Sequence, residues 1–215
     1  MSAKKRDPIK AGVEAALKLG AARPWAEITL AEIADEAGLK LSEFYDVADK
    51  DSLSDAVEPY FDKAMSAEAA DMDDTPRERL FDVIMRRFEA MEPHREGLLS
   101  LMKWRDRSPP RLAALLRARQ RTAKWALACA GLDGSTRAPV SAKAANAGWA
   151  MARAERAWRK ETSADFSRTM AALDKELRDA EDRLNALRMF RGRRRRPNAA
   201  GEGGPEAPPG ATPQE

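Results

Sequence analysis

Apolar residues recur at helical spacing along most of the chain, and no segment shows the strict alternation of a half-buried strand. Asp7-Pro8 supplies an N-cap and a first helical residue, after which Ile9, Val13, Ala16 and Leu17 share one face. Gly20 predicts the end of that helix. Thr29 caps LAEIADEA, where Leu30, Ile33, Ala34 and Ala37 repeat, and Gly38 makes a turn. LSEFYDV predicts a short helix. DKDSLSDAVEPYFDKAM predicts a longer one with a stripe of Leu53, Val57, Tyr60, Phe61 and Met65, interrupted and kinked at Pro59.

DMDDT is a polar break. Thr75-Pro76-Arg77-Glu78 then reads as a capping box, followed by Leu80, Val83, Ile84, Phe88 and Met91 on one face. Further helices are predicted after Pro93, after Ser108-Pro109-Pro110 up to Gly131, and over Ser141 to Trp158, where many small residues suggest close helix approach. Ser163 caps a last helix running to about Phe190. The sum is an all-α chain of about nine helices. A helix-turn-helix unit with a linking helix spans residues 1–70 and a larger helical domain spans 75–190. The basic, then low-complexity tail, 191–215, has no periodicity and predicts disorder.

Composition agrees with helix: 43% of residues are hydrophobic, only 6% are aromatic, and β-branched residues are sparse. No apolar run is long enough to span a bilayer, no signal-peptide core follows the N-terminus, and Cys129 is the single cysteine. The expected location is therefore the cytoplasm. The net charge of +3 comes from the chain ends, Lys4 to Arg6 and Arg191 to Arg196, whereas the body is acidic on balance. His94 is the single histidine, so no metal cluster is expected. No glycine-rich phosphate loop or catalytic triad pattern occurs, so neither an enzyme nor a cofactor is expected.

The stretch TLAEIADEAGL, then Phe44-Tyr45, then Lys50 with an acid and Leu53, resembles the helix-turn-helix of TetR-type transcriptional regulators. The resemblance implies a homodimer on operator DNA, with an apolar effector in the second domain. It places Leu41 on the recognition helix in the major groove. Thr29, Lys40, Tyr45 and Lys50 would meet phosphate, and Ser42 and Glu43 would face base edges. The segment departs from the family pattern in three places. Lys40 stands where a hydroxyl cap is usual, Glu43 replaces a hydroxyl, and Asp46-Val47-Ala48-Asp49 is one residue short. From Thr29 to Asp55 the bases are Lys40 and Lys50 alone, against Glu43, Asp46 and six further acids.

A second segment, WRKETSADFSRTMAALDKEL, is similar to the C-terminal part of TetR-like proteins tied to ubiquinone biosynthesis. That resemblance implies a lipid- or isoprenoid-binding, membrane-associated accessory protein that keeps the fold without DNA binding. Met85, Phe88, Met102, Trp104, Trp125, Trp149 and Met151 are candidate pocket residues, because adaptable and aromatic side chains suit apolar ligands. Trp158, Phe166, Met170, Leu173, Leu177, Leu184 and Leu187 form a stripe that reads either as a dimer face or, at its basic end, as a peripheral membrane contact.

Overall fold

The computed structural model describes residues 7–134 and 138–194, with residues 187–194 described as helix backbone. Every regular element among them is helical. The α-helices are α1 (Pro8–Ala22), α2 (Leu30–Ala37), α3 (Lys50–Asp62), α4 (Pro76–Met91), α5 (Arg95–Arg105), α6 (Pro109–Cys129), α7 (Val140–Trp158) and α8 (Ser167–Arg194). Short 3-10 turns precede α2, α3 and α5 and follow α3. The described residues thus hold eight α-helices rather than about nine. The difference lies at LSEFYDV, where the expected recognition helix is a 3-10 turn, Leu41–Glu43.

The caps follow the sequence. Asp7 accepts from the Ile9 and Lys10 amides, and Thr29, Asp49 and Thr75 close reciprocal capping boxes with Glu32, Ser52 and Glu78. Two helix limits differ from expectation. α1 runs past Gly20 to Ala22, because Gly20 is a packing residue rather than a stop. The last helix begins at Ser167, not Ser163, because Phe166 takes a left-handed conformation with φ 56. Pro59 does not interrupt α3, which stays helical to Asp62.

Glu161 prepares the start of α8. One carboxylate oxygen accepts from the Thr162 and Ser163 amides and the Ser163 hydroxyl; the other accepts from the Thr169 amide and hydroxyl. Burial alone would raise this carboxyl, but the Ser163 and Thr169 hydrogen bonds outweigh it and hold it at about 2. The folded value lies below the ordinary one. The cap is therefore complete above the usual carboxylate range and is lost as pH falls through about 2. Glu161→Ala should accordingly speed amide exchange at residues 167–170 at pH 7, while exchange in α4 stays unchanged.

Leu17, Ile33, Phe44, Leu53, Val57 and Phe61 fill the core around α1 to α3 and join continuously to Ile84, Phe88, Leu101 and Trp158 of the larger helical body. Each such side chain contributes roughly 1.5–3 kcal/mol by leaving water. α1 crosses α5 at backbone distance. A methyl built on Gly97 would lie 2.0 Å from the Leu17 carbonyl oxygen, so only glycine permits the crossing.

A second junction is ionic. Ser54, Glu58 and Asp62 form a polar stripe on α3 beside its apolar one. Glu58 accepts from Arg105 at 2.8 Å and also from Arg87. Arg87 donates to Asp62 at 2.9 Å, Asp62 accepts from the Thr122 hydroxyl at 2.7 Å, and Arg105 donates to Ser54. The network ties α3 to α4, α5 and α6.

Candidate nucleic-acid interface and ligand cleft

The tip of the three-helix unit is built from consecutive i→i+3 hydrogen bonds. The amides of Glu43, Phe44 and Tyr45 donate to the carbonyls of Lys40, Leu41 and Ser42. Phe44, 2% exposed, anchors the turn, while Asp46 at φ 60 ends it. Three 3-10 residues rise only about 6 Å, so the tip presents one turn rather than a helix lying along a groove.

Lys40, Leu41, Ser42 and Tyr45 are exposed, with Tyr45 at 79%, and they are the expected contact residues that remain free to meet a duplex. The other expected contacts have internal roles. Thr29 spends its hydroxyl on Glu32, donating to Oε2 at 2.7 Å and accepting from the Glu32 amide. Glu43 accepts from the Lys40 amide at 2.9 Å and so is turned back onto its own turn. Lys50 donates to the Ala26 carbonyl at 3.2 Å and to the Ile28 carbonyl, and it lies 5.8 Å from the Trp104 ring. Burial lowers its pKa. The ammonium thus joins the loop between α1 and α2 to α5. The neighbouring cations are also paired: Lys18 with Glu36, and Arg23 with Glu32. The basic run Lys4 to Arg6 lies outside the described residues.

The seven expected pocket residues do not converge. Met85, Phe88 and Met102 are buried in the continuous core, and Trp104 is stacked under Arg111 at 3.7 Å. Trp125 and Trp149 are 45% and 58% exposed; their indoles donate to the Asp62 carbonyl and to Glu176. Met151 borders a small void of about 10 Å³ beside Glu58, Arg87 and Thr122.

A larger cleft, about 340 Å³, opens between the start of α4, the end of α6, the start of α7 and the middle of α8. Leu80, Leu127, Ala147, Leu177 and Ala180 form its floor, and Leu184 lies at its side. Arg77, Arg79 and Lys143 stand around it. The sequence reading missed these cations. The signal that pointed to Arg79 was its position four residues before Val83 on the buried face of α4.

The α8 stripe is also reassigned. Trp158, Leu173 and Leu177 are buried inside the protomer, at 0%, 0% and 4% exposure, so they are not a free dimer or membrane face. Trp158 donates to Glu92 at 2.8 Å, and the Arg95 guanidinium lies 4.4 Å from its ring. Phe166 and Met170 pack partly buried against the core, and Leu184 borders the cleft. α7 covers the stripe, with Ala144, Ala147, Ala150 and Ala154 buried on its face. The side chain of Leu187 and the later arginines lie outside the described residues. Among the described residues no helix is long and apolar enough to cross a membrane.

This arrangement is the TetR-type fold. A TetR transcriptional regulator from Nitrosomonas europaea superposes with a TM-score of 0.66 at 20% identity, over 82% of this chain and 99% of that one. A TetR transcriptional regulator from Rhodococcus superposes at 0.55 and 16% identity, over 85% and 97% of the two chains. A TetR-family regulator from Streptomyces coelicolor gives 0.55 at 19%, over 89% and 85%. No protein-family model matches the chain, and no curated protein matches it in sequence.

Proposed function

We propose that the chain is a TetR-type transcriptional regulator. As a homodimer it meets operator DNA through the tips carrying Lys40, Leu41, Ser42 and Tyr45. A small apolar effector in the helical body biases the spacing of the two tips. The observation that supports this reading is the exposed tip, anchored by Phe44 and free of intramolecular cover, on a scaffold shared with such regulators. Phosphate contact falls to Lys40 and the Tyr45 hydroxyl.

Fluorescence anisotropy with DNA from the protein's own upstream region tests it, between about 50 and 200 mM salt. Lys40→Ala should weaken binding for every sequence and reduce the log–log salt slope by about 0.9. Lys50→Ala should leave that slope unchanged. It should instead lower folding stability by about 1–3 kcal/mol, the value of its hydrogen bonds and ring contact. Loss of slope in both variants would place Lys50 on phosphate after all.

The internal use of Glu43 and Lys50 favours a second reading: a lipid- or isoprenoid-binding accessory protein that keeps the scaffold without reading DNA. Absence of any DNA complex at low salt, together with lipid retained in native mass spectrometry, would select it over the regulator.

A further inference from the structure

We propose that the cleft between α4, α6, α7 and α8 binds a compact apolar monocarboxylate, of the size of a medium-chain fatty acid. Calling that molecule the effector rests on the regulator reading; the binding site itself does not.

Size sets the first limit. The volume of about 340 Å³ is at the small end of ligand pockets, which span roughly 300–1,000 Å³. At about 30 Å³ per water, it replaces on the order of ten solvent molecules. The floor sets the second. Leu80, Leu127, Leu177 and the methyls of Ala147 and Ala180 offer no polar partner, so the body of the ligand is apolar.

The rim sets the sign of the head group. Among the described residues three cations line the cleft, Arg77, Arg79 and Lys143, against one acid, Glu181. Arg77 is 3.8 Å from Asp174 and thus partly neutralised. Arg79 and Lys143 are hydrogen-bonded instead to neutral carbonyls, although Arg79 also feels the field of the Asp74 carboxylate. Arg79, 9% exposed, donates Nε to the Ala130 carbonyl at 3.0 Å and Nη1 to the carbonyls of Met72 and Asp74. Its Nη2 has no acceptor among the described residues. Lys143 donates to the carbonyls of Leu132 at 3.0 Å and Gly134, which leaves one of its three N–H bonds without an acceptor among the described residues. Carbonyl partners fix both groups in place, and those of Lys143 do so without cancelling its charge. A carboxylate can therefore take charge-assisted hydrogen bonds from donors that are already ordered.

Isothermal titration of the full chain, without DNA, using octanoate, 1-octanol and octylamine tests the assignment. Octanoate should bind one to one, at least about tenfold more tightly than octanol, and octylamine should not bind. Lys143→Gln should erase most of that preference and leave octanol affinity unchanged. Leu184→Trp, at a half-buried position, should abolish binding of both while circular dichroism and melting stay those of the parent. Should that variant not fold, Asn146→Trp on the α7 wall gives the same readout. Equal affinity for octanoate and octanol overturns the carboxylate assignment. Octanoate binding that survives the tryptophan substitution overturns the location, and no binding up to roughly 1 mM overturns the site. A chain that binds octanoate but not DNA loses the regulator reading and keeps this one.

Discussion

Glu58→Ala should cost about 3–5 kcal/mol of folding stability, the range for breaking one side of a buried ion pair. The carboxylate is 5% exposed and serves two guanidiniums, Arg87 and Arg105, that are themselves 4% and 3% exposed. Without it Arg87 keeps Asp62 and Arg105 keeps only the Ser54 side chain and carbonyl. Both cations then lose their shared carboxylate in a dry interior, with only the field of Asp62 and the more distant Glu155 left for Arg87. Urea unfolding should show the loss as a lower midpoint at unchanged slope. A loss under about 1 kcal/mol would show that water or rearrangement compensates the two arginines.

The same carboxylate sets a pH signature. Burial by itself would raise its pKa, but the fields of Arg87, Arg105 and Arg119 outweigh it, and the native value falls below the ordinary glutamate value. The stabilisation is thus complete above the ordinary carboxylate range and lost only as pH falls through that lower native value. Asp62 works oppositely, since burial pushes its pKa up. Removing Glu58 should therefore flatten the acid limb of the stability profile, and Asp62→Asn should not.

Gly97→Ala should lower the melting temperature by on the order of 10 °C, from a loss of about 3 kcal/mol at a few degrees per kcal/mol for a chain of this size. The added methyl would lie 2.0 Å from the Leu17 carbonyl oxygen and 2.8 Å from its carbon. Both are backbone atoms of α1, so no side chain can rotate aside. Gly20→Ala is the contrast. Its methyl would lie 3.4 Å from the Gly97 backbone, close but tolerable, and alanine gains about 1 kcal/mol of helix propensity there. It should be nearly neutral. A Gly97→Ala protein that melts within about 2 °C of the parent would show that the crossing can widen freely.

The helical architecture was legible because caps and periodicity act locally. Asp7, Thr29 and Thr75 cap in the structure as the sequence predicts, whereas Ser163 does not start α8. The recognition turn was not legible. It is too short to show a period, and the left-handed Asp46 that ends it leaves no compositional trace. The α8 stripe was read correctly as apolar but not for what covers it. Periodicity identifies a buried face; it does not say whether α7 or a second protomer lies on it. The pocket residues were chosen by chemical type, as methionines and tryptophans, whereas the cleft is bounded by leucine, alanine and basic side chains. Its cations come from α4 and α7, brought together only by tertiary packing. Ser54, Glu58 and Asp62 stand at helical intervals beside the apolar stripe, but the buried seam they form was not legible, because Arg87 and Arg105 reach it from other helices.

The absence of a side chain at Gly97 also has a mechanical meaning. Side chains at a helix crossing act as cushions, since they change rotamer and take up small displacements before the backbones must move. Here α5 bears on α1 through main-chain atoms, so the joint has almost no play. α1 in turn carries Phe44 against Gly12, close enough that a methyl built there would meet the ring, so the crossing and the tip share one rigid helix. The joint behaves as a gear tooth without backlash.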